Sequence, residues 1–165
     1  MLDRPSNIPE SRGLYLFTPE HMEMQRDLHA RFDYGKGVDA DECAMLVRGL
    51  APVGSSILDY GCGQGRFKKV LGQGYAVSEY DPGMPGKDAR PSPADMIVCA
   101  DVLEHVEPDL LENVLADLRN LTRVTAIMII ATKPSAKVMA DGRGAHLIVE
   151  SPAWWRRRIE EKFII

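Results

Sequence analysis

The chain reads as an α/β protein: a doubly wound, mostly parallel sheet with helices on both faces. Three observations predict it. Strand and helix signals alternate from about residue 55 onward. The strand segments are apolar runs, as suits strands covered on both faces. The first of them, Ser56 to Tyr60, runs into the alternating glycines Gly61, Gly63 and Gly65 and then into a helix starting at Arg66. Such a turn brings backbone N–H groups and the positive end of a helix dipole close to a ligand.

The elements follow in order. Residues 1 to about 20 hold Pro5, Pro9, Gly13 and Pro19 with little periodicity and predict an arm or loop. Glu20 to Arg31 carries a partial apolar face, Met22, Met24 and Leu28, and predicts a short helix broken by Tyr34-Gly35-Lys36-Gly37. Asp39 with Glu42 resembles a capping box, and Cys43, Leu46, Val47 and Leu50 recur at helical spacing up to Ala51-Pro52-Val53-Gly54. After the glycine turn come a helix over Arg66 to Leu71 and strands over Tyr75 to Asp81 and Met96 to Ala100. Pro108 to Leu121 is the clearest helix, with Leu110, Leu111, Val114, Leu115, Leu118 and Leu121 on one face. Ala126 to Ala131 reads as a central strand, and Ser151-Pro152 opens a last helix carrying Trp154, Trp155 and Ile159. One domain over residues 1–165 is expected, with 1–50 as arm, helices and lid and 55–165 as the core.

Composition bounds the function. Apolar residues at 45% and charged residues at 27% are ordinary for a soluble globular chain, and a net charge of −4 disfavours a broad nucleic-acid surface. The N-terminus has no signal-peptide run, and no window nears the roughly 18 apolar residues of a membrane helix. Cys43, Cys62 and Cys99 are odd in number and far apart, as reduced thiols of a cytoplasmic protein would be.

Asp81 closes the second strand 22 positions after Asp59. An acid there is placed to accept hydrogen bonds from a ribose. The three blocks Leu58 to Gly65, Glu79-Tyr80-Asp81-Pro82 and Asp101-Val102-Leu103-Glu104-His105-Val106-Glu107-Pro108 together resemble the class I S-adenosylmethionine (SAM)-dependent methyltransferases. Dehydrogenases use G-x-G-x-x-G, whereas the spacing here is G-x-G-x-G preceded by an acid. The resemblance implies a Rossmann-like fold and SAM as cofactor. Gly61, Cys62, Gly63 and Gly65 would flank its methionine part, Asp59 would orient the loop or meet the amino group, and Asp81 would hold the ribose. Asp88 matches the acid near the adenine amino group, and Ala100, Asp101 and Val102 would flank the cofactor. The interval from Asp81 to Met96 is short, so the helix and strand usual there are abbreviated or lost.

Methyl transfer needs an aligned nucleophile and often a base. The candidates are Glu104, His105 and His146, with His105 the first choice because imidazole titrates near neutral pH. Asp101, Glu104, His105 and His146 also form a candidate set for Mg²⁺ or Mn²⁺. Two branches of the family resemble this arrangement: small-RNA 3′-terminal 2′-O-methyltransferases, with E-x-x-E-H and a later His, and ubiquinone-pathway O-methyltransferases. Here Asp101 stands in place of the first Glu. In family members without metal, the same Glu and His cap the next helix or line the pocket.

Two segments stay open between readings. Asp141-Gly142-Arg143-Gly144 is either a solvated turn or a gating loop, and Trp154-Trp155-Arg156-Arg157-Arg158 either packs on the sheet or contacts a nucleic acid. The usual class I sheet has seven strands, and here Phe163 to Ile165 is all that is left for a sixth, so the resemblance implies a fold minimal or truncated at its C-terminal strands. A homodimer or partner chain over the sheet edge is therefore expected. The sequence reading is a SAM-dependent methyltransferase whose acceptor is a small molecule, nucleotide or nucleic acid, similar to phage and bacterial methyltransferase-like proteins. The alternatives are an inactive SAM-binding partner or regulatory subunit, and a nicotinamide-dependent oxidoreductase.

Overall fold

The computed structural model describes residues 15–31, 35–37 and 39–164. The expectations for residues 1–14, for Tyr34 and for Ile165 lie outside them. Four strands, β1 (Ser56–Tyr60), β2 (Ala76–Tyr80), β3 (Ala94–Ala100) and β4 (Thr122–Ile129), form one sheet in the order β2-β1-β3-β4. Every pairing is parallel. A parallel ladder needs crossovers, and helices supply most of them.

The apolar runs explain the layers. Successive strand residues face opposite ways, so Ile57, Met96, Val98 and Ile127 point to one face and Leu58, Ile97 and Cys99 to the other. On the first face α2 (Ala40–Leu50) and α3 (Arg66–Leu71) bring Cys43, Ala44, Val47, Phe67 and Leu71. On the second, α4 (Leu111–Leu121) and α5 (Pro152–Glu160) bring Val114, Leu115, Leu118 and Trp155. Each fully buried Leu or Ile contributes about 1.5–3 kcal/mol. One polar group sits inside the second layer: Asp117, fully buried, accepts from the Arg90 guanidinium and from Tyr60 Oη at 3.3 Å.

Some boundaries differ from expectation. Pro108–Leu110 forms a 3₁₀ turn ahead of α4, and β4 begins at Thr122, whose Oγ1 donates to Leu118 O at 2.7 Å. Asp39 precedes α2 without a side-chain capping bond, so the capping box does not form. Ser151 does cap α5, accepting from Trp154 N at 3.3 Å. Among the described residues there is no strand between β2 and β3 and none after β4, so β4, expected to be central, is an open edge; its apolar run reflects packing against both helical layers.

A third, smaller apolar cluster lies apart from the two layers. Leu28 of α1 (Pro19–Arg31) packs on Met139 and Ala145, with Met24 and Leu147 alongside. Residues 137–145 turn back on themselves, Met139 N donating to Arg143 O at 2.8 Å and Ala145 N to Lys137 O at 2.9 Å. This pair of segments roofs the carboxyl ends of the strands, where open α/β sheets bind ligands.

Candidate functional site

The glycine turn is fastened from two sides. Gly61 N and Cys62 N both donate to Tyr80 O, at 2.7 and 3.1 Å, tying the turn to the end of β2. Asp81 then bridges it to the next turn, accepting from Gly63 N and Gly83 N at 2.9 Å each. Two of these positions tolerate only glycine. Gly61 has φ 81° and a Cβ there would lie 2.2 Å from Val102 Cγ2, while Gly63 has φ 48° and its Cβ would lie 2.5 Å from Gly35 O. Lys87 buttresses the loop from outside, donating to Gly63 O at 3.1 Å and pairing with Glu79 Oε1 at 3.2 Å.

Below the turn, Asp59 is 6% exposed and its Oδ2 has no hydrogen-bond partner. Burial first, then the charge of Glu79, pushes its carboxyl up to about 7. An unsatisfied buried carboxylate oxygen is costly and suits a cationic ligand group.

At the end of β3, Asp101 takes φ 54°, the one positive φ outside glycine among the described residues. Burial first, then the charges of Asp39 and Glu104, raise it to about 7. Glu104 is fully buried and works as a pin. Its Oε1 accepts from Ala131 N at 2.9 Å, and its backbone carbonyl accepts from Leu147 N and Ile148 N at 2.7 and 3.0 Å. His105 Nδ1 donates to Ala145 O at 2.7 Å and His146 Nδ1 to Lys133 O at 2.6 Å, since a carbonyl can only accept. Both rings thus commit Nδ1–H to the backbone, and they meet edge to face at 4.8 Å between centroids. Burial, the largest influence, lowers the His105 pKa to about 4, so the ring is neutral at physiological pH.

These parts open into one cavity of about 530 Å³. The turn, Asp59, Asp81, Ala100, Asp101 and Val102 line one side. α1 lines the other through His21, Gln25 and His29, so all four histidines of the chain face this space. α1 is anchored there by Thr18, whose N and Oγ1 donate to the two Glu107 oxygens at 2.8 Å each. His21, Gln25 and His29 fall at i, i+4 and i+8, a helical stripe in the sequence that could have announced them. Glu79 and Lys87 carried no comparable signal.

A family model described as a methyltransferase domain matches residues 34–162. The chain belongs to the methyltransferase family. Its parallel sheet with helices on both faces is the Rossmann-like class I, SAM-dependent form of it. A solved structure with the same fold is that of Burkholderia thailandensis 1,6-didemethyltoxoflavin-N1-methyltransferase, with bound 1,6-didemethyltoxoflavin and S-adenosylhomocysteine. It is 18% identical, with a TM-score of 0.62 over 98% of this chain and 81% of that one. No curated protein matches. Membership of this family disfavours the nicotinamide alternative.

Within the methyltransferase, the sequence candidates separate. Asp59, Gly61, Cys62, Gly63, Asp81, Ala100, Asp101, Val102, His105 and His146 line the cavity. Gly65, Asp88 and Glu104 do not. Gly65 faces Glu79 and Lys87 at the start of α3, Asp88 is exposed beyond the Lys87 turn, and Glu104 lies behind the wall. Among the four proposed metal ligands, Glu104, His105 and His146 each bring one ligand atom to within 4.8 Å of the others, and Asp101 stays outside that group. One carboxylate and two imidazoles offer fewer oxygens than Mg²⁺ or Mn²⁺ takes, so the set fits those ions poorly. The Asp141–Arg143 pair closes a turn outside the cavity lining. Trp155 is buried in the core, and Arg158 stacks on Trp154 and pairs with Glu112, so that stripe serves α5 packing. Among the described residues no helix is long and apolar enough to cross a membrane.

Asp59 gives a test of the methyltransferase site through stability. A carboxyl raised to about 7 keeps a proton in the folded state that the unfolded chain has already released. Its contribution to stability therefore falls as pH rises from about 4 to 7 and levels off above. Asp59→Asn is expected to exceed the wild type by roughly 1–3 kcal/mol at pH 8, with the gap closing toward pH 4. Denaturant melts at the two pH values read this out. A gap of equal size at both would show that Asp59 is not the strained group.

Proposed function

We propose that the chain binds SAM across the glycine turn and transfers its methyl group to a small-molecule acceptor held between His105 and α1. The observation that carries this is the shared cavity: the turn, the unpartnered Asp59 oxygen and the His105 ring all face one roofed space of about 530 Å³. The relative from Burkholderia thailandensis holds S-adenosylhomocysteine and a small acceptor together, which supports the same pairing here. A roof over the strand ends suits a small molecule better than a nucleic-acid strand.

The roles follow from chemistry. Asp59 meets the methionine ammonium, and Gly61, Cys62 and Gly63 let the backbone approach the methionine chain. Asp81 keeps a lone pair on each oxygen, beyond its two backbone bonds, for ribose hydroxyls. Ala100, Asp101 and Val102 flank the adenosine and sulfonium. Methyl transfer is an in-line displacement at carbon, so most of the acceleration comes from alignment. His105 Nε2, neutral and oriented by the bond to Ala145 O, accepts the proton of the nucleophile. His146 sets the position of the His105 ring from its edge.

Calorimetric titration of S-adenosylhomocysteine into the protein in EDTA tests the cofactor. A micromolar dissociation constant, unchanged when Mg²⁺ or Mn²⁺ replaces EDTA, is the expected result. No binding under any of these conditions would remove the reading.

A further inference from the structure

Behind the glycine turn, outside the cavity, one lysine ties together the parts that shape the turn. Lys87 Nζ donates to Gly63 O at 3.1 Å and to Glu79 Oε1 at 3.2 Å. Neither Lys87 nor Glu79 lines the cavity. The Lys87 backbone is fixed as well, its N–H donating to Met84 O at 3.0 Å and its carbonyl accepting from Asp81 N at 2.9 Å. The ammonium therefore reaches back to the glycine turn from a closed loop that begins at Asp81. Lys68 approaches the other Glu79 oxygen at 3.7 Å, with its side chain half exposed.

Gly65 is the residue that lets this pair form. Its φ is 76°, and a Cβ there would lie 2.2 Å from Glu79 Oε1 and 2.8 Å from Lys87 Nζ. The third glycine of the motif thus makes room for an ion pair. The bond to Gly63 O also acts at a distance. A trans peptide sends its C=O and N–H to opposite sides, so drawing the Gly63 carbonyl toward Lys87 turns the Gln64 N–H the other way, where it donates to Gly35 O at 3.0 Å. Gly35 and Gly63 both line the cavity. We propose that Lys87 is a positioning residue for the cofactor: from outside the cavity it holds the Gly63–Gln64 peptide in its ligand-binding orientation and offsets the charge of Glu79 beside Asp59. This assignment rests on the reading that SAM lies across the glycine turn.

The charge effect gives the proposal a signature of its own. Burial raises the Asp59 carboxyl most, Glu79 and Asp81 add to the rise, and Lys87 opposes it. The other ionisable groups near Asp59 are the thiols of Cys43, Cys62 and Cys99, all pushed up by burial and so uncharged at neutral pH. A ligand ammonium binds the ionised carboxyl, so affinity rises with pH and levels off once Asp59 is ionised, above about 7.

Calorimetric titration of S-adenosylhomocysteine from about pH 5 to about pH 8 tests this. Lys87→Met keeps the stem and removes the ammonium. It is expected to weaken binding about tenfold or more on the plateau, the cost of losing a charged donor, and to move the plateau to higher pH. Glu79→Gln leaves an acceptor for Lys87 and is expected to move the plateau to lower pH. Lys87→Arg, which keeps the charge and its donors, is expected to stay within a few fold of the wild type. Lys68→Met is the comparison for a surface charge that touches Glu79 and not Gly63, and it too should stay within a few fold. A merely structural Lys87 would lower affinity without moving the two plateaus in opposite directions. Lys87→Met binding as tightly as the wild type overturns the proposal, as does a plateau that Glu79→Gln leaves in place; the second result decides even if Lys87→Met fails to fold. A wild type that binds no S-adenosylhomocysteine at any pH would instead sink the cofactor reading, so the two failures are told apart.

Discussion

His105→Asn is expected to lower the rate of methyl transfer by about 10²–10⁴-fold while leaving the affinity for S-adenosylhomocysteine within a few fold. The choice of Asn matters. His105 has two roles in the proposed reaction: its Nδ1–H holds Ala145 O at 2.7 Å, and its Nε2 is the proposed base. The Asn side-chain amide can still donate to Ala145 O, so the roof segment stays pinned, but no base remains. His105→Ala removes both functions and is expected to weaken acceptor binding as well. Single-turnover rates with saturating SAM separate the cases. A rate for His105→Asn within tenfold of the wild type would mean that alignment alone drives the transfer and that His105 only holds the roof.

Gly63→Ala is expected to reduce S-adenosylhomocysteine affinity by roughly 100-fold or more while the sheet still forms. Two penalties combine. A left-handed φ costs a non-glycine residue about 1–2 kcal/mol, and the new methyl would sit 2.5 Å from Gly35 O and 2.9 Å from Gly35 Cα. Those are backbone atoms, so the 35–37 segment must retreat. With it go the Gln64 N to Gly35 O bond at 3.0 Å and the fit of Gly63 N to Asp81. Gly142→Ala is the matched comparison. Its φ of 86° carries the same strain, but nothing lies within 4 Å of the added carbon and it is outside the cavity. It should lose about 1 kcal/mol of stability with cofactor affinity unchanged. Equal affinities for the two variants would remove the 35–63 contact from the account.

The strongly patterned parts of the chain were legible, and the reasons are local. β1, α3 and the Ser151 cap of α5 lie where the sequence signals put them, because an apolar run or a cap states its own environment. The glycine turn and Asp81 were legible as a ligand site, but the spacing of glycines could not say that Gly65 turns away from the cavity toward Glu79 and Lys87. The Asp39–Glu42 spacing looks like a capping box, but the Asp39 side chain bears on Asp101 and does not cap α2. The histidines of α1 are hard to read in the sequence because the helix has only a weak apolar face, and a ligand-facing stripe is polar by necessity. The roles of Glu104 and Glu107 are bonds to residues 27 and 89 positions away, which no local pattern encodes.

The roof rests on the smallest of the three apolar clusters, Leu28, Met139 and Ala145. Few buried contacts mean a low free energy of local opening, well below that of the sheet with its two helical layers. The molecule therefore carries two separate stabilities in one chain. A melting curve that follows the sheet reports the larger and is silent on the smaller, so a variant can pass every bulk test of folding and still leave its ligands uncovered. Amide exchange at residues 137–147, with and without S-adenosylhomocysteine, is the measurement in which that second stability becomes visible.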